Sequence, residues 1–137
     1  MSVAVAHQVR SSSDLVLTEG ARQAHFRGTD LVVIHVVDAL DTDVEEATRA
    51  GISDAVDRAL GTAGIDPVSY DIRLVAGGHE TADVSGAILT TVRQLGPDVL
   101  VIGARRRSPV GKAFLGSVAQ NIILDTDVPV LVVKSPR

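Results

Sequence analysis

The segment from Gly103 to Ser117 is rich in residue types that bind anions. Its glycines are Gly103, Gly111 and Gly116, and its cations are Arg105, Arg106, Arg107 and Lys112. Guanidinium groups pair well with phosphate oxygens, and the free N–H groups of a helix N-terminus favour negative charge. Because Gly116 and Ser117 open a predicted helix, the segment indicates a phosphate site. A second interpretation stays open, in which Ser117 only caps the helix and the arginines form a solvated rim.

The known phosphate-binding motifs do not fit this segment. In a Walker loop, Gly111-Lys112 would need a glycine at Arg106 and a hydroxyl residue at Ala113. No G-x-G-x-x-G pattern follows the first predicted strand. Phosphoryl transfer by P-loop machinery is therefore not expected.

The other polar residues do not form a catalytic or metal-binding pattern. The four histidines are His7, His25, His35 and His79, and none makes an H-x-x-x-H or H-x-H pair. No paired carboxylates are placed for acid–base chemistry, so we predict no catalytic residue and no metal site. His35 lies in an apolar run and is interpreted as a core residue. His7 follows the first predicted strand, where it could contact a ligand, although the sequence shows no partner that would fix its tautomer.

Composition limits the class of protein. The chain has 137 residues, of which 45% are hydrophobic and 2% aromatic, and it has no cysteine. This excludes disulfides and thiolate chemistry, and it favours an aliphatic sheet buried on both faces. The formal charge of −4 argues against nucleic acid and anionic membranes as partners. No apolar run approaches the roughly 18 residues of a membrane span, so we expect a soluble cytoplasmic protein.

Strand-like and helix-like segments alternate along the chain. The predicted strands are Ser2–Ala6, Leu31–Val37, Tyr70–Val75, Val99–Ile102 and Val128–Val133. The predicted helices run from Ser13 or Asp14 to near Gly28, and over Asp43–Ala63, Asp83–Leu95 and Ser117–Leu124. Such alternation predicts one doubly wound α/β domain over residues 1–137, with helices on both faces of a parallel sheet. Ligands of such sheets bind beyond the carboxyl ends of the strands, which is where the Gly103–Ser117 segment begins.

Several of these segments, taken together, resemble the universal stress protein family. They are LVVIHVV at the second strand, DVLVIG at the fourth, GSVAQNIIL at the last helix and PVLVVK at the end. The resemblance to this UspA-like domain covers essentially the whole chain. It implies a five-stranded parallel sheet of order 3-2-1-4-5, and a homodimer formed through the last strand, Val128–Val133. It also implies that one branch of the family binds ATP.

The ATP-binding branch has a loop pattern that this chain matches only in part. Gly103, Gly116 and Ser117 match its first glycine, third glycine and hydroxyl, whereas Arg106 replaces its second glycine. A side chain at Arg106 would disfavour a left-handed backbone there, by roughly 1–2 kcal/mol. The stretch RxRSPVGK therefore resembles a distinct variant of the family loop.

The resemblance also assigns roles outside the loop. Val36 would lie against adenine through its backbone, and Val118 would add an amide beside the phosphates. The family's ATP binders carry an acidic residue at the end of the first strand, where this chain has Ala6 followed by His7. The carboxylate expected near the nucleoside is therefore missing.

These observations lead to one expected function and one alternative. We expect a dimeric stress-response domain that binds ATP or a related adenine nucleotide, or another small phosphorylated ligand, and that is not a fast enzyme. Magnesium is expected only with a bound nucleotide. The alternative is a dimerisation module of the same family that has lost tight nucleotide binding.

Overall fold

A computed structural model describes residues 1–7, 13–78, 80–107, 112–114 and 116–134. Strands and helices alternate through these residues, with one additional short strand near the end. In chain order the elements are β1 (Ser2–His7), α1 (Ser13–Arg27), β2 (Asp30–Val37), α2 (Thr42–Ala63), β3 (Tyr70–Ala76), α3 (Thr81–Leu95), β4 (Val99–Arg107), β5 (Lys112–Phe114), α4 (Ser117–Asp125) and β6 (Val130–Lys134).

The parallel strands lie in the order β3-β2-β1-β4-β6. Since β6 is the fifth parallel strand along the chain, the predicted order 3-2-1-4-5 is confirmed. The chain builds the sheet outward from β1 in one direction and then from β4 in the other. In open α/β sheets a ligand crevice forms beside such a reversal, at the carboxyl ends of the strands.

Two apolar clusters cover the two faces of the sheet. Strand residues alternate between the clusters, because successive side chains of a strand point to opposite faces. The first cluster includes Val3 and Val5 of β1 with side chains of α1 and α2. The second, which we call the α3/α4 cluster, includes Ala4 of β1 and Ile34 of β2 with side chains of α3 and α4. Both faces are therefore covered by helices, as predicted.

The fourth strand is longer than predicted and forms a hairpin. β4 pairs in parallel with β6 as far as Ala104, and residues 105–107 pair antiparallel with β5. The prediction ended this strand at Ile102 and left the following residues as a loop. The strand continues because β5 gives the backbone beyond the sheet edge new hydrogen-bond partners.

The last strand begins two residues later than predicted. Val128 belongs to a turn, in which its N–H donates to Thr126 Oγ1 at 3.4 Å. Pairing to the sheet starts at Pro129, whose carbonyl accepts from Leu100 N at 2.9 Å. Among the residues that the structure describes, no helix is both long and apolar enough to cross a membrane.

Candidate functional site

Three of the predicted site residues share one face of the sheet. Ala6 of β1, Val36 of β2 and Val118 of α4 all pack against the α3/α4 cluster and are all partly exposed. Ala6 and Val36 lie near the carboxyl ends of neighbouring strands, and Val118 lies in the first turn of α4. The fold therefore places these two strand ends and this helix start on the same face of the sheet.

The N-terminus of α4 is open. Its N-cap is Gly116, with φ −62° and ψ 162°, and no side chain caps the helix. A Cβ built on Gly116 would meet no heavy atom within 4 Å. Ser117 is exposed, and the first turn contains no acidic residue. An uncapped helix start without nearby carboxylates is a suitable place for an anion.

Gly103 has a structural reason to be glycine that the sequence did not reveal. A Cβ at this position would lie 3.0 Å from Val16 Cγ2 of α1. That side of Gly103 faces α1 and not the α3/α4 cluster. A side chain at this position would therefore be in tight contact with α1, and helix packing favours a small residue here whatever its role toward a ligand.

The arginine-rich segment begins as regular strand. In the hairpin, Arg105 lies opposite Phe114, Arg106 opposite Ala113, and Arg107 opposite Lys112. No described residue other than glycine has a positive φ. Arg106 is therefore extended, and the cost of a left-handed arginine that the sequence suggested does not arise. Gly111 lies outside the described residues.

His7 lies on the opposite face of the sheet from Ala6 and Val36. It is buried, with 8% of its surface exposed, and its Nδ1 lies 3.2 Å from Nδ1 of His35, which is 9% exposed. The sequence suggested a ligand contact for His7 and showed no partner for it. His7 follows the apolar run of β1 and His35 lies within the apolar run of β2, on strands predicted to be neighbours, and this was the available signal for the pair.

The hydrogen bonds of the pair define its protonation. His35 Nδ1 is also 3.2 Å from the carbonyl oxygen of His7, and a carbonyl can only accept. His35 therefore carries its proton on Nδ1, and His7 accepts through an unprotonated Nδ1. Burial, and secondly the neighbouring His35, lower the pKa of His7 from 6.5 to about 4, against a smaller opposing effect of Asp14. Burial also lowers the pKa of His35. Both rings are thus neutral near pH 7.

A groove of about 840 Å³ lies between β3 and α3. Arg73 and Thr90 line it in its middle, and Gly77, Gly78 and Asp83 line it near the carboxyl edge of the sheet. A Cβ at Gly77 would lie 2.6 Å from Val36 Cγ1. The Val36 side chain therefore lies between this end of the groove and the predicted site. No described member of the predicted site lines the groove.

Comparisons with known proteins agree with this fold. A model of the universal stress protein family matches residues 1–134. A universal stress protein of Mycolicibacterium smegmatis (strain ATCC 700084 / mc(2)155) is 38% identical over 116 residues, which cover 84% of this chain and 83% of that protein. The universal stress protein from Archaeoglobus fulgidus in complex with dAMP is 25% identical with a TM-score of 0.70, over 96% of each chain. A universal stress protein in complex with cAMP shares the fold, with a TM-score of 0.70 at 21% identity over 98% of each chain.

Proposed function

The chain belongs to the universal stress protein family, and from that membership we propose that it is a cytoplasmic regulatory domain that binds an adenine nucleotide. The nucleotide would lie at the carboxyl edge of the sheet, with its base over Val36 and its phosphate at the start of α4. A relative from Archaeoglobus fulgidus, at 25% identity, was solved with dAMP, which supports this class of ligand. We propose a binding role and not a catalytic one, because the first turn of α4, as far as the structure describes the site, contains no acidic residue that could act as a general base.

The observation that carries the proposal is the open N-terminus of α4 on the same face as Ala6 and Val36. Gly116 neither caps the helix with a side chain nor fills the space in front of it. A phosphate placed there would accept hydrogen bonds from backbone N–H groups and from the exposed Ser117 hydroxyl. Arg105, Arg106, Arg107 and Lys112 belong to the hairpin that immediately precedes this helix start and add positive charge along the chain.

Ala6 shapes the expected ligand preference. A methyl group there cannot accept a hydrogen bond from a ribose hydroxyl, as a carboxylate would. We therefore expect the chain to discriminate weakly between a ribonucleotide and the matching deoxyribonucleotide. Among the described residues, no group of three His, Asp or Glu side chains is arranged to hold a metal. A magnesium ion that accompanies ATP would be held by phosphate oxygens and water.

Calorimetric titration with AMP, dAMP and ATP plus magnesium tests this proposal. We expect saturable binding of at least one of these ligands, with similar affinities for AMP and dAMP. Mass spectrometry of the heat-denatured purified protein checks for nucleotide that remains bound. Absence of binding at millimolar concentrations of all three ligands, from protein shown to be free of nucleotide, would favour the ligand-poor alternative.

We also propose that two copies associate through β6. The Leu100 N–H donates to Pro129, and residues of a parallel strand alternate in which neighbour they face. Val130 and Val132 therefore turn their N–H groups away from β4. Near this edge, at the end of α4, Leu124 is 80% exposed and Ile123 is 36% exposed. An apolar strand edge of this kind is suited to pairing with a second chain.

A further inference from the structure

The His7–His35 pair lies directly beside the proposed base contact. His7 is opposite His35 in the register of β1 and β2, and Ala6 is opposite Ile34. Ala6 immediately precedes His7 in the chain, and Val36 immediately follows His35. The pair is on the α1 side of the sheet, so it cannot touch a ligand on the α3/α4 side except through the backbone.

Side-chain contacts of the pair hold the backbones of β1 and β2 together, in addition to the hydrogen bonds between the two strands. His35 Nδ1–H is shared between the carbonyl oxygen and the Nδ1 of His7, each 3.2 Å away. The rings are also in contact, with centroids 5.2 Å apart and planes inclined at 47°. These side-chain contacts hold the last residue of β1 to β2 at the edge where the parallel ladder ends.

Few charged groups face the pair. Asp14 of α1 is the carboxylate that acts on His7, and Arg58 of α2 lies 3.7 Å from that carboxylate. On the same face, β3 places Leu74 opposite His35, and β4 contributes the buried Val101. Within the described part of the chain, protonation of His7 is therefore opposed by burial and by the neighbouring ring and favoured more weakly by Asp14. Protonation of His35 is opposed by burial and favoured more weakly by its hydrogen bond to the carbonyl of His7.

We propose that His7 and His35 are positioning residues of the nucleotide site, which hold the ends of β1 and β2 at the spacing that the base requires. This inference rests on the proposed function. Protonation of His7 would place two N–H groups against each other and would separate the strand ends. Nucleotide binding would then weaken in acid through a group that does not touch the ligand.

Two substitutions of His7 separate this role from simple core packing. In His7→Asn, the amide oxygen takes the place of Nδ1 as acceptor, but it does not titrate. In His7→Leu, the volume is kept and the acceptor is lost. Circular dichroism and thermal unfolding first establish that each variant is folded at pH 7.5.

At pH 7.5 we expect His7→Leu to weaken binding of the tightest nucleotide about threefold to tenfold, the cost of one lost hydrogen bond. We expect His7→Asn, which keeps an acceptor at this position, to bind the nucleotide with an affinity within about twofold of wild type. Equal affinities of His7→Leu and wild type would overturn the positioning role and leave the proposed function intact. No binding by wild type at all would overturn both.

The pH profile gives a second test that does not need His7→Leu to fold. At pH 4 about half of His7 is protonated in the free protein. The Kd of wild type relative to His7→Asn should therefore be about twofold larger at pH 4 than at pH 7.5. Titration of the ligand and of surface carboxylates is common to both proteins and cancels in this ratio. A ratio that does not change with pH would contradict the proposal.

Discussion

The Val5 side chain in β1 occupies the position that a Cβ atom would take on Gly20 of α1. The same Cβ would lie 3.3 Å from Leu31 Cδ1 in β2. Helix α1 thus rests on the centre of the sheet at a glycine, and both contacts are side chains at 0% exposure. This close approach sets the distance between α1 and the two strands that carry His7 and His35.

Gly20→Ala is expected to destabilise the protein, although alanine is the better helix former. Overpacking a well-filled core costs about 1–3 kcal/mol, and the gain in helix propensity returns at most about 1 kcal/mol. Gly51→Ala in α2 is the matched control, because a Cβ there meets nothing within 4 Å. Urea unfolding should show a lower midpoint for Gly20→Ala and an equal or higher midpoint for Gly51→Ala. A stabilised Gly20→Ala would mean that α1 can move away from the sheet.

Stability should depend on pH through His7. The unfolded chain protonates this residue below its ordinary pKa of 6.5, whereas the folded chain does so only near pH 4. The stabilisation is present above pH 6.5 and is lost as the pH falls toward 4, by on the order of 3 kcal/mol. His7→Asn should remove this part of the slope and leave the part due to His35. Urea unfolding of both proteins from pH 7.5 to 4 measures the difference, and parallel slopes would contradict a neutral buried His7.

Gly116→Leu should abolish nucleotide binding without destabilising the fold. Gly116 has an extended backbone that any residue adopts, and its Cβ position is open, so leucine would fill only the space before α4. Wild type should gain about 2.7 kcal/mol of stability at a nucleotide concentration of 100 times Kd. Gly116→Leu should show no such rise in Tm, whereas the control Gly51→Leu should keep it. A nucleotide-induced rise in the Tm of Gly116→Leu would show that the start of α4 is not part of the nucleotide site.

Val132→Pro should dissociate the proposed dimer. Its N–H faces away from β4, so proline would remove a hydrogen bond to a second copy and leave the pairing with β4 in place. Val132→Ala is the control, because it shortens the side chain but keeps the N–H. Light scattering at micromolar concentration should show a dimer for wild type and Val132→Ala, and a monomer for Val132→Pro. A monomeric wild type would refute association through β6.

The strands and the helices could be predicted because each element carries its own periodic signal. The apolar run of β2 and the glycines that end α2 and α3 are local features. Gly64 and Gly96 adopt the left-handed conformation expected at helix ends. The family resemblance added the strand order, which no local pattern contains.

The details of the site depend on contacts between elements, and local patterns do not contain them. The face on which His7 lies follows from the register of β1 against β2, and a shift of one residue would have placed it beside a ligand. The continuation of β4 through Arg107 depends on β5, a strand of three residues with no hydrophobic alternation. The contact of Gly103 with Val16 depends on how closely α1 approaches the sheet.

Strand β4 belongs both to the parallel sheet and to the hairpin with β5, and this has an evolutionary consequence. Its first half pairs with both β1 and β6 in the sheet, and its second half is the base of the hairpin. The hairpin formed by residues 105–107 and 112–114 thus extends from a stem that the sheet holds in place. Replacing residues 105–115 with the loop of a relative should change the contacts with the phosphates, while the proposed contacts of Ala6 and Val36 with the nucleoside stay the same. Diversification of phosphate recognition within one lineage would then require changes in a single short stretch of the gene.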